Sequence, residues 1–293
     1  MRRICAVLVC LSFGSLAAAQ GVAPVPLRVT MISGSEEYRS DESLAASKEH
    51  LERNYQAFVT LVRAVDNKDL PGIEALGECD VALFFTRRLT TDGEQLEAVK
   101  RYVLSGRPIV AIRTASHGFQ NWLEFDKLVL GGNYHGHLGA GVPFTTGIAP
   151  EAKNHPILKG VGPIATTASL YRNQPIAGDV AVLMTGETAK SEGPEPVAWV
   201  RQFKGARVFY TSLGAPADFG NDDFRRMLAN ALFWTAGRVE AVRKEAHAKV
   251  AKEQRNATEK VALAPWALHG TKPIRRLPPL LSLAPLRPSR ERF

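Results

Sequence analysis

GRPIVAIRTASHGFQNWLEFDKLVLGGNYHGHLGAG, residues 106–141, is the stretch that decides the fold. Its first part, Pro108 to Ile112, is apolar and mostly β-branched, which predicts a short buried strand. The apolar run ends abruptly in polar residues that include Arg113, Ser116 and His117. In an open α/β sheet, residues just past the carboxyl end of a central strand face the crevice where ligands bind. The stretch therefore predicts the middle of a sheet together with one edge of a site.

The sequence before this stretch predicts alternating strands and helices. Strand signals occur at 27–32, 57–62 and 80–85, and helix signals at 43–53 and 93–104. The second strand signal could also continue the preceding helix, and we interpret it as a strand because it is apolar and β-branched. This order indicates a mostly parallel sheet with right-handed crossovers.

After residue 141 the hydrophobic period changes from helical to alternating. Short alternating runs occur at 142–148, 164–171, 179–185, 196–203 and 206–213. Lys204-Gly205 joins the last two runs and is typical of a two-residue hairpin turn. A final helix is predicted over 222–235, ending at Gly237. The fold class is thus α/β, with a mostly parallel central sheet between layers of helices.

Both ends of the chain differ in composition from the body. Residues 1–20 combine a basic start, a short apolar run and small residues before a cleavage point, which predicts a signal peptide and export to the periplasm or medium. Once it is cleaved, no membrane span remains. Residues 239–260 are polar and helix-prone, and residues 261–293 form a basic, proline-rich tail that we expect to be disordered.

The net charge of +8 does not indicate a nucleic-acid-binding protein. The excess of Lys and Arg lies in the tail from residue 239 onward, and the body of the chain is close to neutral. A neutral body with a basic tail lacks the basic groove that nucleic-acid binding requires. We expect a small-molecule partner, and the sequence leaves a homo-oligomer open.

Several segments together resemble a known family. They are VALFFTRRLT at 81–90, the start of the 106–141 stretch, GGNYHGHLG at 131–139, HPILKGV at 155–161, EPVAWVRQFKGARVFYTSLG at 195–214 and FRRMLANALFWTAG at 224–237. In this order they resemble the ThuA-like (trehalose utilisation) domain, in its secreted bacterial branch, over residues 27–238. The resemblance implies membership of the class I glutamine amidotransferase-like superfamily, with a flavodoxin-like three-layer sandwich and a role in carbohydrate use.

The resemblance also allows one chemical exclusion. Class I glutamine amidotransferases carry a nucleophilic cysteine on the turn after the strand that corresponds to 108–112, and a His and a Glu after a late strand. Here the first turn reads Ile112-Arg113-Thr114, and the late turn, 214–217, reads Gly-Ala-Pro-Ala. Thiolate attack on a carboxamide needs both the sulfur and a base. The sequence therefore excludes glutaminase activity.

A histidine pair in the glycine-rich segment is the candidate metal site. His135 and His137 flank Gly136, and alternate residues of an extended segment point the same way. Both imidazoles could therefore reach one Zn²⁺ or one substrate, with a third ligand from His117, Glu37 or Asp218. The alternative is a glycine-rich loop whose histidines bond to backbone carbonyls.

The remaining candidates lie at the predicted crevice. Arg113 and His117 could bind an anion or sugar hydroxyls, or act as acid and base, and with His135 and His137 they form the predicted catalytic set. The alternative for Arg113 is an internal salt bridge that locks the turn. The predicted substrate-binding residues are Glu37, Arg87, Ser116 and Tyr134. Arg87 is followed by Arg88, and we expect one of these two arginines to face ligand.

A serine hydrolase is a further possibility that the sequence disfavours. Ser116, His117 and Asp126 are the required residue types, but neighbouring residues are not expected to face one another as nucleophile and base. The G-x-S-x-G elbow is also absent.

Two hypotheses for the function remain. The first is an exported carbohydrate-active enzyme that acts on a glycoside or an oxidised sugar by acid–base chemistry, with Zn²⁺ as an optional participant. The second is a non-catalytic sugar-binding or scaffold domain, which the residues at Arg113 and Ala215 favour. No G-x-G-x-x-G follows the first strand, so a nicotinamide site is not indicated.

Overall fold

The computed structural model describes residues 25–139 and 142–238. The predicted signal peptide at 1–20, the helical extension at 239–260 and the disordered tail at 261–293 lie outside the described residues. Within the described residues, no helix is both long and apolar enough to cross a membrane.

Strands and helices alternate in the first half of the described chain, and short strands dominate the second half. The α-helices are α1 (Ser40–Asn54), α2 (Gly93–Leu104) and α3 (Asp222–Thr235). The strands are β1 (Leu27–Gly34), β2 (Ala57–Arg63), β3 (Val81–Thr86), β4 (Ile109–Ile112), β5 (His137–Leu138), β6 (Phe144–Thr145), β7 (Gly147–Ile148), β8 (Ala165–Thr166), β9 (Leu170–Tyr171), β10 (Ala181–Gly186), β11 (Glu195–Phe203) and β12 (Ala206–Thr211).

One large sheet organises the described residues. Its eight strands, counted over 25–139 and 142–238, follow the order β2-β1-β3-β4-β12-β11-β10-β7. The pairs from β2 to β12 are parallel, and those from β12 to β7 are antiparallel. Two small sheets, β5-β9 and β6-β8, accompany it. The predicted mostly parallel sheet is confirmed.

Helices cover both faces of this sheet and give three layers. Apolar residues of α1 and α3 pack on one face, and those of α2 pack on the other. β4 alternates between the two cores, since Val110 and Ile112 belong to the first and Ile109 and Ala111 to the second. A strand buried on both faces reads as a continuous apolar run, as predicted.

The predicted local elements are largely confirmed. β2 is a strand and not an extension of α1, because α1 ends at Asn54 and Ala57 pairs with Leu27 of β1. Lys204 and Gly205 both have positive φ angles, 49° and 82°, as the tight hairpin between β11 and β12 requires. The runs at 142–148 and 164–171 were each predicted as one element, but the first divides into β6 and β7 and the second into β8 and β9, and the two strands of each pair belong to different sheets.

Gly118 allows the turn after β4 to lie against the end of β3. A Cβ added to Gly118 would stand 2.3 Å from Thr86 Oγ1 and 3.1 Å from the carbonyl oxygen of Ala115. The N–H of Leu89 bonds to the carbonyl of Gly118 at 2.8 Å, which fixes this approach. Gly118 therefore sets the spacing between two segments that border the crevice.

We predict that Gly118→Ala lowers the free energy of unfolding by about 1–3 kcal/mol, because the added methyl overpacks this contact. Urea unfolding measures the change, and Gly220→Ala is the matched control, since its Cβ would meet no atom within 4 Å. Thr86→Ala should restore part of the loss in the double variant. Equal stability of the two glycine variants would contradict the packing argument.

Candidate functional site

Arg113 is the first residue after β4 and has an unusual backbone conformation. Its φ of 47° lies in the left-handed region, which costs a non-glycine residue about 1–3 kcal/mol. The carbonyl of Arg113 accepts hydrogen bonds from Tyr210 Oη at 2.8 Å and from Ser116 Oγ at 3.2 Å. A strained turn directly after a central strand is also where α/β hydrolases hold their nucleophile. Here that position carries an arginine.

The guanidinium of Arg113 points inward, and the residue is only 1% exposed. Nη1 donates to the carbonyl of Ser212 at 2.6 Å, and Nη2 donates to Ser169 Oγ at 2.9 Å and to Tyr38 Oη at 3.1 Å. The ring centroids of Tyr38 and Tyr171 both lie 4.5 Å from its Cζ. The cation thus joins the loop after β1, the segment before β9 and the end of β12.

No described carboxylate forms an ion pair with Arg113, so the predicted alternative of a salt bridge is not found in the described part of the chain. Carbonyls, hydroxyls and two aromatic faces solvate the charge instead. Its Nε is buried without a hydrogen-bond partner. Arginine does not deprotonate in proteins, so the site retains a buried positive charge. Arg113 locks the turn, as that alternative proposed, but without an acidic partner.

His117 lies at the end of the same turn and is half-buried. Burial, and after it the charges of the nearby Arg88, Arg87 and Arg113, lower the pKa of its imidazole to about 3. The ring is therefore neutral at physiological pH. A neutral imidazole is able to accept a proton.

The hydrogen bonds of His117 indicate which ring nitrogen is free. Ser116 Oγ donates its single proton to the carbonyl of Arg113, and it lies 3.1 Å from His117 Nδ1. When Ser116 Oγ donates to that carbonyl, it accepts from Nδ1–H, and the lone pair of the neutral ring then lies on Nε2. Nε2 has no hydrogen bond to any described residue. A free ring nitrogen is one requirement of a general base.

The contact between Ser116 and His117 corrects one expectation. Their side chains were not expected to meet, yet the 3-10 turn Arg113–His117 brings them together. A serine triad is nevertheless not assembled, because the carboxylate of Asp126 bonds to the N–H of Tyr134. Ser116 is also buried, with 6% of its surface exposed. It serves to orient His117.

Tyr134 stacks on His117. The two ring centroids are 4.5 Å apart at an interplanar angle of 20°, and Tyr171 lies 4.4 Å from Tyr134 on the buried side. The pKa of Tyr134 is raised by burial and by Tyr38, so its phenol stays protonated. His117 and Tyr134 therefore present one neutral acceptor and one neutral donor side by side.

Asp126 fixes the segment that carries Tyr134. It lies in the single-turn π-helix Phe125–Leu130, and its Oδ2 accepts the N–H of Tyr134 at 2.8 Å. π-Helical turns are frequent at functional sites. Oδ1 is buried without a partner, and a Cβ at Gly132 would stand 2.4 Å from it. Burial raises the pKa of this carboxyl to about 6, although the Tyr134 N–H opposes the shift.

A cleft of about 710 Å³ opens at the carboxyl ends of β1 and β3. Glu37 and Arg87, two of the predicted substrate-binding residues, line it and form an ion pair at 2.6 Å. Arg88 also lines the cleft and is exposed. Its N–H bonds to the carbonyl of His117 at 2.8 Å, which connects the cleft to the turn after β4.

The histidines of the glycine-rich segment are both exposed. His135 Nδ1 lies 2.8 Å from the carbonyl oxygen of Asn133, as the backbone-bonded alternative proposed. His137 lies in β5, opposite Tyr171. Within residues 25–139 and 142–238, no three His, Cys, Asp or Glu side chains come together in a way that could hold a metal ion. Zinc binding by His135 and His137 stays a prediction.

Asp218, a suggested third metal ligand, is fully engaged in the late turn. Its Oδ2 accepts the N–H groups of Gly214 and Ala215 at 2.8 and 2.9 Å, and its Oδ1 accepts from Thr166 Oγ1 at 2.7 Å. The residue is 2% exposed. Asp218 therefore shapes the turn after β12.

The sequence did not identify Tyr38, Ser169 or Tyr171 as site residues. Tyr38 follows β1 at the predicted ligand-binding edge of the sheet, and this position in the sequence could have identified it as a site residue. Ser169 lies 56 residues beyond Arg113, and Tyr171 lies two residues further on, in β9. Only the three-dimensional fold brings them to the guanidinium.

The geometry defines an α/β sandwich with a cluster of polar and aromatic side chains at the carboxyl edge of its parallel strands. Comparison with known families identifies the family of the chain. The chain belongs to the ThuA family, described as trehalose utilisation, whose model matches residues 28–235. No curated protein matches the chain significantly.

Solved structures support the same fold. A ThuA-like protein from Parabacteroides merdae is 19% identical with a TM-score of 0.58, and the match covers 75% of this chain and 99% of that one. A ThuA-like protein from Bacteroides uniformis is 18% identical with a TM-score of 0.58, covering 74% and 94%. A β-galactosidase from Bacillus circulans is 14% identical with a TM-score of 0.50, covering 72% of this chain and 31% of the enzyme. At these identities the likeness establishes the fold.

We predict that Asp126→Asn removes a loss of folding stability that wild type suffers as pH rises. A raised carboxyl pKa makes the folded state bind a proton more tightly than the unfolded state, so this group destabilises the fold as pH rises from about 4 to about 6. Relative to wild type, Asp126→Asn should therefore gain about 2–3 kcal/mol of unfolding free energy between pH 4 and pH 7. Denaturant unfolding at both pH values measures the difference, and parallel pH profiles would contradict it.

Proposed function

We propose that this protein is an exported carbohydrate-processing enzyme that acts on a glycoside or an oxidised sugar by acid–base chemistry. It would belong to the secreted branch of its family, within the class I glutamine amidotransferase-like superfamily. The observation that carries the proposal is the neutral His117 imidazole with its free Nε2, beside the Tyr134 phenol. The family description, trehalose utilisation, supports the carbohydrate class.

His117 is the general base in this proposal. Its Nε2 removes a proton from a sugar hydroxyl, from water, or from the carbon next to a carbonyl in an oxidised sugar. Tyr134 binds a neighbouring sugar oxygen through its phenol. The buried charge of Arg113 stabilises negative charge that develops near the base. Glu37 and Arg87 bind sugar hydroxyls at the rim of the cleft.

Metal assistance at His135 and His137 remains a variant of the same proposal. The two imidazoles are exposed in the glycine-rich segment, which would leave coordination positions open for substrate or water. A Zn²⁺ ion there would polarise a sugar oxygen.

A non-catalytic sugar-binding or scaffold domain is the second candidate. The observation that favours it is the pair of turns where related folds carry reactive groups. One turn holds the buried Arg113, and in the other the N–H groups of Gly214 and Ala215 are bonded to Asp218. Sugar binding without turnover would support this candidate.

The experiment is a turnover assay with the full chain, using trehalose, maltose and keto-sugars prepared from them by oxidation. Proton NMR in D₂O detects both glycoside cleavage and exchange of the C–H next to a carbonyl. EDTA-treated and Zn²⁺-supplemented samples test for metal assistance.

We predict that His117→Gln lowers kcat/KM by about 10²-fold or more, the usual contribution of a general base. The matched control is His50→Gln. His50 lies on α1, where burial also lowers the pKa, but it is remote from the cluster. Wild-type activity should not depend on His117 ionisation between pH 5 and 8, because the pKa of this group lies near 3. Equal loss in both variants, or no turnover by wild type, would contradict the enzyme proposal.

A further inference from the structure

Arg88 is held in a fixed position at the mouth of the cleft. Its φ of 48° lies in the left-handed region, which an arginine adopts only when its surroundings hold it there. Its N–H donates to the carbonyl of His117 at 2.8 Å, and its own carbonyl accepts from Asn67 Nδ2 at 3.0 Å. The backbone of Arg88 is therefore attached to the candidate base on one side and to the cleft wall on the other.

The guanidinium of Arg88 is exposed and has no ion pair or side-chain hydrogen bond with a described residue. Its neighbour Arg87 differs in this respect, because Glu37 neutralises it at 2.6 Å. Five donors in a planar fork thus remain available at the mouth of the cleft.

Positive charge dominates around His117. Besides burial, the groups that lower its pKa are Arg88, Arg87 and Arg113, in that order. Glu36 also lines the cleft without an ion pair to a described residue, but it is not among the groups that shift this pKa. Arg88 therefore contributes an unpaired positive charge to the surroundings of the base.

We infer that Arg88 binds an anionic group of the substrate, so that the enzyme takes an acidic sugar, one that carries a carboxylate or a phosphate ester. This inference rests on the proposed function. Arginine matches both groups because its parallel N–H donors bond to two oxygens at once. The anion places the sugar ring between Arg88 and the His117–Tyr134 pair. Arg88 is thus the residue that determines substrate specificity.

The test measures equilibrium binding and needs no turnover. Isothermal titration of the full chain at pH 7 compares D-glucuronate, D-glucose 6-phosphate and neutral D-glucose. We predict that at least one acidic sugar binds at least about tenfold more tightly than D-glucose. Added salt should weaken the binding of the acidic sugars and leave that of D-glucose unchanged. Comparison of the two acidic sugars separates the carboxylate from the phosphate.

Arg88→Gln should weaken binding of the preferred acidic sugar about 10- to 100-fold, as expected for a lost charge-assisted bidentate contact, and leave D-glucose unchanged. Arg88→Lys should restore part of the affinity. Arg101→Gln is the matched control, because Arg101 is exposed on α2, lies outside the cleft and gives the same change in charge.

Three outcomes overturn the inference. If D-glucose binds as tightly as the acidic sugars, the substrate class is wrong while the proposed function stands. If Arg88→Gln weakens the binding of all three sugars equally, or of none of them, Arg88 does not bind the anionic group. If none of the three sugars binds, the inference is overturned, and the turnover assay on glycosides and keto-sugars decides the proposed function separately.

Discussion

The buried charge of Arg113 is the interaction on which the rest of the site depends. A lone cation in a protein interior is costly unless hydrogen bonds and aromatic faces replace water. Here Ser212, Ser169 and Tyr38 supply the acceptors, and Tyr38 and Tyr171 supply the faces. These partners come from separate segments of the chain. The charge therefore draws three loops together at the end of β4, and the strained turn ends at His117, whose carbonyl accepts the N–H of the cleft residue Arg88.

The turn after β4 combines two different environments. Arg113 begins it with a buried charge, and His117 ends it with a neutral ring that contacts Ser116 and lies near three arginines. Burial and positive charge both keep the ring neutral at ordinary pH, so His117 is available there as a hydrogen-bond or proton acceptor. Tyr134 stacks on His117. Its backbone N–H is bonded to Asp126, and Gly132 allows the chain to pass close to the same carboxylate.

The fold was predictable because its signals are local. The apolar run at β4, the helical spacing of α2 and the Lys204-Gly205 turn each identify an element without reference to the rest of the chain. The site was predictable only in part. His117, Arg113 and Tyr134 follow a strand signal or a glycine-rich segment, but Tyr171 and Ser169 depend on tertiary contacts with Arg113. The same limit explains why the contact between Ser116 and His117 was missed: it requires a 3-10 turn, which the sequence pattern did not indicate.

The proposed chemistry depends on the protonation state of the His117 ring, which nitrogen-15 NMR of the histidine side chains measures. Spectra of the full chain labelled at histidine, recorded from pH 3 to pH 8 and assigned with His117→Gln, report the protonation of each ring nitrogen. We expect a neutral ring with its proton on Nδ1 and no titration above about pH 4. Titration near the usual histidine value of about 6.5, or a proton on Nε2 in the neutral ring, would contradict it.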